Sequence, residues 1–299
     1  MSVQVHGVTE NRRVAFLTMQ DTAGWSIDAD LAFEPLAELG WHAEWLPWQQ
    51  PGVDWAQFDA VYTAATWDYP ELPQQFLEVL EAIDRSSALL VNPLELARWN
   101  IPKTYLRDLD QAGVRIVPSS FHDRYSDDVL LPAFDRFVSE QIIVKPVIGA
   151  NAQDTFLLSK DDFEDRLEQL RRTFAERPFI VQPYLSNVAE EGEYSLFWIG
   201  DAFSHAILKV PKQSDFRVQE EHGASILATE LTGELLESAH RALSVVPGDP
   251  LYARCDFVRN ADGELCVMEL ELIEPSLYLR MHESAPTRFA AAFDAYIRR

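Results

Sequence analysis

The apolar and polar positions of the chain change period several times, and each change marks an element. Residues 14–19, VAFLTM, form a short unbroken apolar run of the kind a buried strand gives. Residues 29–39, ADLAFEPLAEL, follow with helical spacing and stop at Gly40, a residue type that commonly ends helices. HAEWLPW and FDAVYTAA predict two more strands, FLEVLEAI a helix and ALLVNP a fourth strand. This alternation predicts a parallel α/β lobe over residues 1–95, with DTAGWSID and TAATWDYPE at strand ends where such sheets bind ligands.

Over residues 96–185 the pattern predicts a small α+β lobe. KTYLRDLDQAG and DDFEDRLEQLRRTFAE read as helices, and RIVP, IIVKP and FIVQPYL as strands. A third region, residues 186–299, holds a hairpin about Gly200-Asp201, the helix ELLESAHRAL, a second hairpin and a closing helix, TRFAAAFDAYIRR.

The second hairpin, YARCDFVRNADGELCVMELEL, carries the chemistry. Asp262-Gly263 between two β-prone runs is a turn signal. With those residues as the turn, Asp256 lies opposite Glu269 and Arg254 opposite Glu271, all on one face. Cys255, Phe257, Cys266, Leu270 and Leu272 take the other. A four-residue loop preserves these faces, whereas an odd-length loop inverts them. Taken alone, E-L-E-L is a half-buried strand with its polar side in water. Three carboxylates gathered beside one another repel, however, and a partly closed face then needs a cation. Hard oxygen donors in this arrangement suit Mg²⁺ or Mn²⁺ sharing phosphate oxygens.

Composition narrows the partners. A net charge of −23 argues against nucleic acid and anionic membranes, which select basic surfaces. No apolar run reaches the ~18–20 residues of a membrane span, and MSVQVHGVTENRR lacks the apolar core of a leader, so a cytoplasmic location is expected. Cys255 and Cys266 fall out of register for a disulfide and read as buried thiols. The histidines show no zinc spacing. Among 25 basic residues only Lys103, Lys145, Lys160, Lys209 and Lys212 are lysines. Lys145 ends an apolar strand, where an unpaired ammonium is costly. Alone it reads as a strand-end side chain reaching water, and Lys103 as a helix-surface charge.

A helical lysine, a strand-end V-K-P, a hinge strand, an acid opening a hairpin, then R-x-D and E-x-E on paired strands resemble the ATP-grasp ligases over most of the chain. The resemblance implies an N-terminal parallel α/β lobe and two α+β lobes that clamp ATP. By position, Lys103 and Lys145 resemble the pair that holds the nucleotide phosphates, and Gln182, Tyr184 and Leu185 the adenine hinge. Glu193 resembles the ribose-binding acid, and Asp256, Glu269 and Glu271 the ligands of two Mg²⁺ or Mn²⁺ ions. Arg254, with Lys145, resembles the groups beside the transferred phosphoryl, and Lys209 and Arg217 basic residues facing the γ-phosphate or substrate. Two departures stand out: the loop after Lys145 has one glycine where many members have several, and Glu271 replaces a frequent asparagine.

TWDY, NP, WN and ELELIEPSLYL resemble a bacterial subgroup that includes the D-cycloserine-forming ligase. That implies ATP-dependent closure of O-ureido-D-serine through an acylphosphate, with loss of carbon dioxide and ammonia. An intermolecular amino-acid or dipeptide ligase and a non-catalytic ATP-binding sensor are the alternatives. Asp21, Thr66, Asp68, Arg217 and Ser276 are the expected substrate residues, with Asp21 or Asp68 suited to an α-amino group. A homodimer is common among such ligases.

Overall fold

A computed structural model describes residues 12–213 and 215–299; the N-terminal stretch read as lacking a leader core falls almost wholly outside them. The first lobe runs β1 (Arg12–Thr18), α1 (Phe33–Glu38), β2 (Trp41–Pro47), β3 (Ala60–Ala65), α2 (Pro73–Asp84) and β4 (Leu89–Val91). Its sheet has order β2-β1-β3-β4 with every pair parallel. Alternate β1 residues bury in opposite directions. Val14 and Phe16 pack with Tyr252, Phe289 and Phe293, while Ala15 and Leu17 pack with Trp48 and Phe76. Both faces are covered, as a parallel sheet requires.

Two short helices, α3 (Leu94–Asn100) and α4 (Tyr105–Gln111), lead into the central lobe. Its elements are β5 (Ser120–His122), α5 (Leu130–Phe137), β6 (Gln141–Pro146), β7 (Phe156–Ser159), α6 (Leu167–Phe174) and β8 (Phe179–Pro183), with antiparallel sheet order β5-β8-β6-β7. RIVP is not one of its strands. Ile116 bridges in parallel to Val267 of the last lobe, with Val117 N donating to Val267 O at 3.0 Å and Val267 N to Arg115 O at 2.9 Å, so the run pairs outside the central sheet and packs as core.

The last lobe comprises α7 (Asn187–Glu190), β9 (Glu193–Ile199), β10 (Ala202–Val210), β11 (Ser225–Ala228), α8 (Gly233–Leu243), β12 (Tyr252–Arg259), β13 (Leu265–Glu271) and α9 (Ala285–Ile297). Its antiparallel sheet, β11-β10-β9-β12-β13, packs one face on α4 and α8 through Leu106, Leu109, Leu235 and Ala239. Residues of all three lobes line one cleft over the other face, which holds the charged residues. No helix among the described residues is long and apolar enough to cross a membrane.

Candidate active site

Strands β12 and β13 set Arg254 opposite Glu271 and Asp256 opposite Glu269, the register the alternation predicts. The route to it differs. Asn260 N donates to Glu264 O at 2.9 Å, closing an odd loop of residues 261–263 in which Gly263 takes φ 79°. That loop alone would aim Glu269 at the core. One extra residue, Met268, lies between the Phe257–Val267 and Asp256–Glu269 pairs, and this bulge returns both glutamates to the cleft. It also corrects the placement of Cys266, which comes before the bulge. Cys266 packs with Val117, Val188 and Val258, whereas Cys255 joins Phe257, Leu270 and Leu272 on the other side. Both are free buried thiols.

Every carboxylate of this face meets a cation. Arg254 donates through Nε to Asp256 at 3.0 Å and pairs through Nη2 with Glu271. Asp256 also accepts from Ser195 Oγ at 2.5 Å, and Lys209 Nζ lies 3.5 Å away. Lys209 bonds Glu193 at 3.1 Å, directly across the β9–β10 ladder. Gly192 (φ 115°) lets the chain turn into Glu193, since a Cβ there would sit 2.8 Å from Lys209 O. Glu269 accepts from Lys145 at 2.9 Å and from Lys103 at 3.3 Å.

Burial penalises charge, and partners decide who keeps it. Burial pushes Glu193 up to about 7 against the pull of Lys209. It would raise Glu269 too, but Lys103 and Lys145 hold that carboxyl well below the usual range. Asp256 is likewise held low against burial by Arg254 and Lys209. Glu271 ends raised because burial outweighs Arg254.

Residues outside the hairpin hold the strand that carries the glutamates. Asn100 donates to Leu270 O at 2.8 Å and accepts from Leu272 N at 2.8 Å, bracketing Glu271. Tyr105 OH accepts from Leu270 N at 3.1 Å. Asn92, at φ 57°, donates to Leu272 O at 2.7 Å and to Tyr252 O at 2.9 Å. The NP and WN pairs therefore act as backbone clasps. In the sequence they register only as resemblance, because a clasp has no period.

The loop after Lys145 explains its shortage of glycine. Gly149 is required by close approach, since a Cβ there would meet Pro146 Cγ at 2.7 Å. Asn151, Ala152 and Asp154 adopt φ of 52°, 55° and 54° with no glycine to ease them. Left-handed residues cost roughly 1–2 kcal/mol each and persist when their surroundings over-determine them. Here Arg177 bridges Asp154 (2.5 Å) and Ile148 O (3.1 Å), and His222 Nε2 lies 3.2 Å from Asn151 O.

The other expected residues divide. Gln182, Tyr184 and Leu185 line the cleft; Gln182 Nε2 is already spent on Ser119 Oγ at 2.9 Å, leaving backbone as the hinge's free chemistry. Arg217 lines the cleft while paired to Asp215 at 2.8 Å, and Ser276 lines it with its carbonyl accepting from Arg254 at 3.3 Å. Asp21 does not reach the cleft: it is exposed and caps Ala23 N at 2.9 Å. Thr66 is fully buried, its hydroxyl without a hydrogen-bond partner among the described residues, and does not line the cleft. Asp68 lines only a neighbouring hollow and accepts from Trp48 Nε1 at 2.7 Å. Trp67, Tyr69 and Glu274, absent from the expected set, do line the cleft.

Asp256, Glu269 and Glu271 are hard oxygen donors on one face, which fits Mg²⁺ in kind. As they stand they are turned onto lysine and arginine, and no three His, Cys, Asp or Glu among the described residues are gathered closely enough to hold an ion. The fit is one of donor type and shared face, with side chains that must change partner.

Two family descriptions match the chain: the N-terminal domain of D-cycloserine synthetase DcsG over residues 14–92, and the ATP-grasp domain of prokaryotic glutathione synthetase over residues 127–247. The cycloserine biosynthesis protein DcsG of Streptomyces lavendulae is 31% identical over 289 residues, covering 89% of this chain and 94% of the relative. The crystal structure of D-cycloserine synthetase DcsG superposes with TM-score 0.83 at 29% identity, covering 95% of this chain and 99% of that one. D-alanyl-alanine synthetase A of Vibrio cholerae shares the fold at TM-score 0.73 and 14% identity, over 97% and 98% of the two chains. The chain belongs to the ATP-grasp ligases and, within them, to the family of DcsG. It is an ATP-dependent ligase; its family uses ATP with Mg²⁺ and acts on small substrates.

Proposed function

We propose that this ligase closes O-ureido-D-serine to D-cycloserine. One ATP and one water are consumed, and ADP, phosphate, carbon dioxide and ammonia are released. The observation that carries this reading is the similarity to DcsG in sequence and fold over most of both chains.

The γ-phosphoryl group moves from ATP to the substrate carboxylate, giving an acylphosphate. The ureido nitrogen bonded to oxygen attacks the activated carbonyl; the C–N bond forms, the bond to phosphate breaks and the nitrogen loses its proton. Water then removes the carbamoyl group as carbon dioxide and ammonia. Because the nucleophile is tethered, good orientation contributes up to ~7–11 kcal/mol of the barrier, so the protein's work is folding the substrate and excluding water.

Lys103 and Lys145 hold the triphosphate, Gln182, Tyr184 and Leu185 flank the adenine, and Glu193 takes the ribose with Lys209 beside it. Arg254 and Lys145 stabilise charge on the transferring group. Asp256, Glu269 and Glu271 would hold two Mg²⁺ or Mn²⁺ ions, which supply electrophilic stabilisation of phosphate oxygens. The ion pairs of Glu269 with Lys103 and Lys145 support an exchange: phosphate takes the lysines, and the carboxylate turns to a metal cation.

The test is turnover of purified protein with Mg²⁺-ATP and O-ureido-D-serine. Equal amounts of ADP, carbon dioxide and D-cycloserine support ring closure. ADP formed only with a second amino compound redirects the chain to intermolecular ligation.

A further inference from the structure

The segment leaving β13 is fixed at every step by the first lobe and β12. Leu272 O accepts from Asn92 at 2.7 Å, Ile273 O accepts from Tyr252 at 2.6 Å and from Thr63, and Glu274 O accepts from Trp67 Nε1 at 2.8 Å. This clamping aims the Glu274 side chain into the cleft, where it is 8% exposed.

Its carboxylate differs from the others there. No side chain among the described residues donates to it and no ion pair holds it. The two cations whose charge acts on it, Lys103 and Arg254, are committed to Glu269 and to Asp256 with Glu271. Burial, and then the charge of Glu271, raise the Glu274 carboxyl well above the usual range, so it keeps a proton until a cation arrives. A buried carboxyl held on a rigid backbone and facing a ligand cleft without a protein cation is built to receive one from a ligand. Trp67 stands beside it, packed against Trp25 with ring centroids 5.3 Å apart, and lines the same cleft. An indole wall next to a carboxylate is a favourable setting for an ammonium. Asp21 and Asp68, the sequence-level choices for an amino group, are turned elsewhere.

We infer that Glu274, with Trp67, binds the α-ammonium group of the amino-acid substrate. The inference rests on the ligase reading above and adds the residue that makes the enzyme select an amine-bearing carboxylate. Glu274 lies three residues past Glu271 and outside β13, so its role is separate from that of the hairpin carboxylates.

The experiment compares wild type with Glu274→Gln on two compounds, O-ureido-D-serine and its deamino analogue 3-(ureidooxy)propanoate. ADP release gives kcat/KM, and calorimetry with Mg²⁺-ADP present gives binding of the same pair without turnover. The variant should lose about 30-fold or more on the amine-bearing compound, the scale for breaking a buried charge pair. On the deamino compound it should stay within about threefold of wild type, with the KM for ATP and the Mg²⁺ dependence unchanged. An equal loss on both compounds, or a shifted Mg²⁺ requirement, overturns the inference and leaves the reaction standing. A wild type that binds the amine through Glu274 but never releases ADP overturns the reaction and leaves the subsite standing. Absence of both binding and turnover overturns both.

Discussion

The β12–β13 face and the strand-end loops of the first lobe line the same cleft but are made in different ways. On the hairpin, a two-residue period and one bulge place Arg254, Asp256, Glu269 and Glu271 together, and each charge meets an opposite charge. On the loops, Trp67 and Tyr69 are set by turns, and their polar bonds serve backbone rather than one another. The first region is a preassembled electrostatic device; the second is a shaped wall. Changes in the hairpin should therefore damage stability and phosphoryl transfer together, whereas changes in the loops should act mainly on substrate recognition, with a small cost in stability.

The largest effect belongs to Arg254→Met. It leaves Asp256 and Glu271 buried without their guanidinium, a situation that costs about 3–5 kcal/mol. Urea unfolding should show that loss, and single-turnover ADP formation should fall by roughly 10²–10³. A variant of normal stability would break the comparison on the hairpin side.

Next comes a pH effect at Glu193, whose carboxyl is raised from 4.5 to about 7, chiefly by burial. Between those values the folded protein keeps a proton that the unfolded chain releases, so this residue's contribution to stability falls as pH rises from about 4.5 to about 7. Glu193→Gln lacks that slope. Its stability relative to wild type should rise across the window by at most about 3 kcal/mol, measured as paired unfolding curves at each pH. Parallel curves would contradict the assignment.

Asn100→Ala sharpens the boundary between the two regions, because Asn100 belongs to α3 yet grips β13. Unpairing Leu270 O and Leu272 N should cost about 2 kcal/mol and lower kcat about tenfold or more by loosening Glu271. Nucleotide affinity, read by titration calorimetry, should change less than kcat. The smallest effect is Trp67→Phe, which loses one hydrogen bond worth about 1 kcal/mol. The KM for the carboxylate substrate should rise about fivefold with the KM for ATP unmoved; equal changes in both would dissolve the distinction.

The same contrast explains what the sequence disclosed. Alternation made the hairpin face readable from Arg254 to Leu272, including the charge problem that a cation solves. It does not reveal that an odd loop and a bulge at Met268 cancel, so alternation alone puts Cys266 on the wrong side. Long elements with a clear period, such as α8 and α9, were legible, while the short strands β5, β7 and β11 carry too few residues to show one. Asp21, Thr66 and Asp68 have suitable chemistry, but a turn can aim a side chain anywhere, and these point into caps or core. Glu274 follows the strand and shares no period with Glu269 and Glu271, so alternation does not reveal it.

The central claim is that this cleft activates a carboxylate by phosphorylation. Label the substrate carboxylate of O-ureido-D-serine with ¹⁸O and examine the phosphate released by the enzyme with Mg²⁺-ATP. One ¹⁸O should appear in phosphate for each ring closed, because the acylphosphate breaks at the carbonyl carbon. Phosphate free of label, formed alongside ADP and product, would contradict the account.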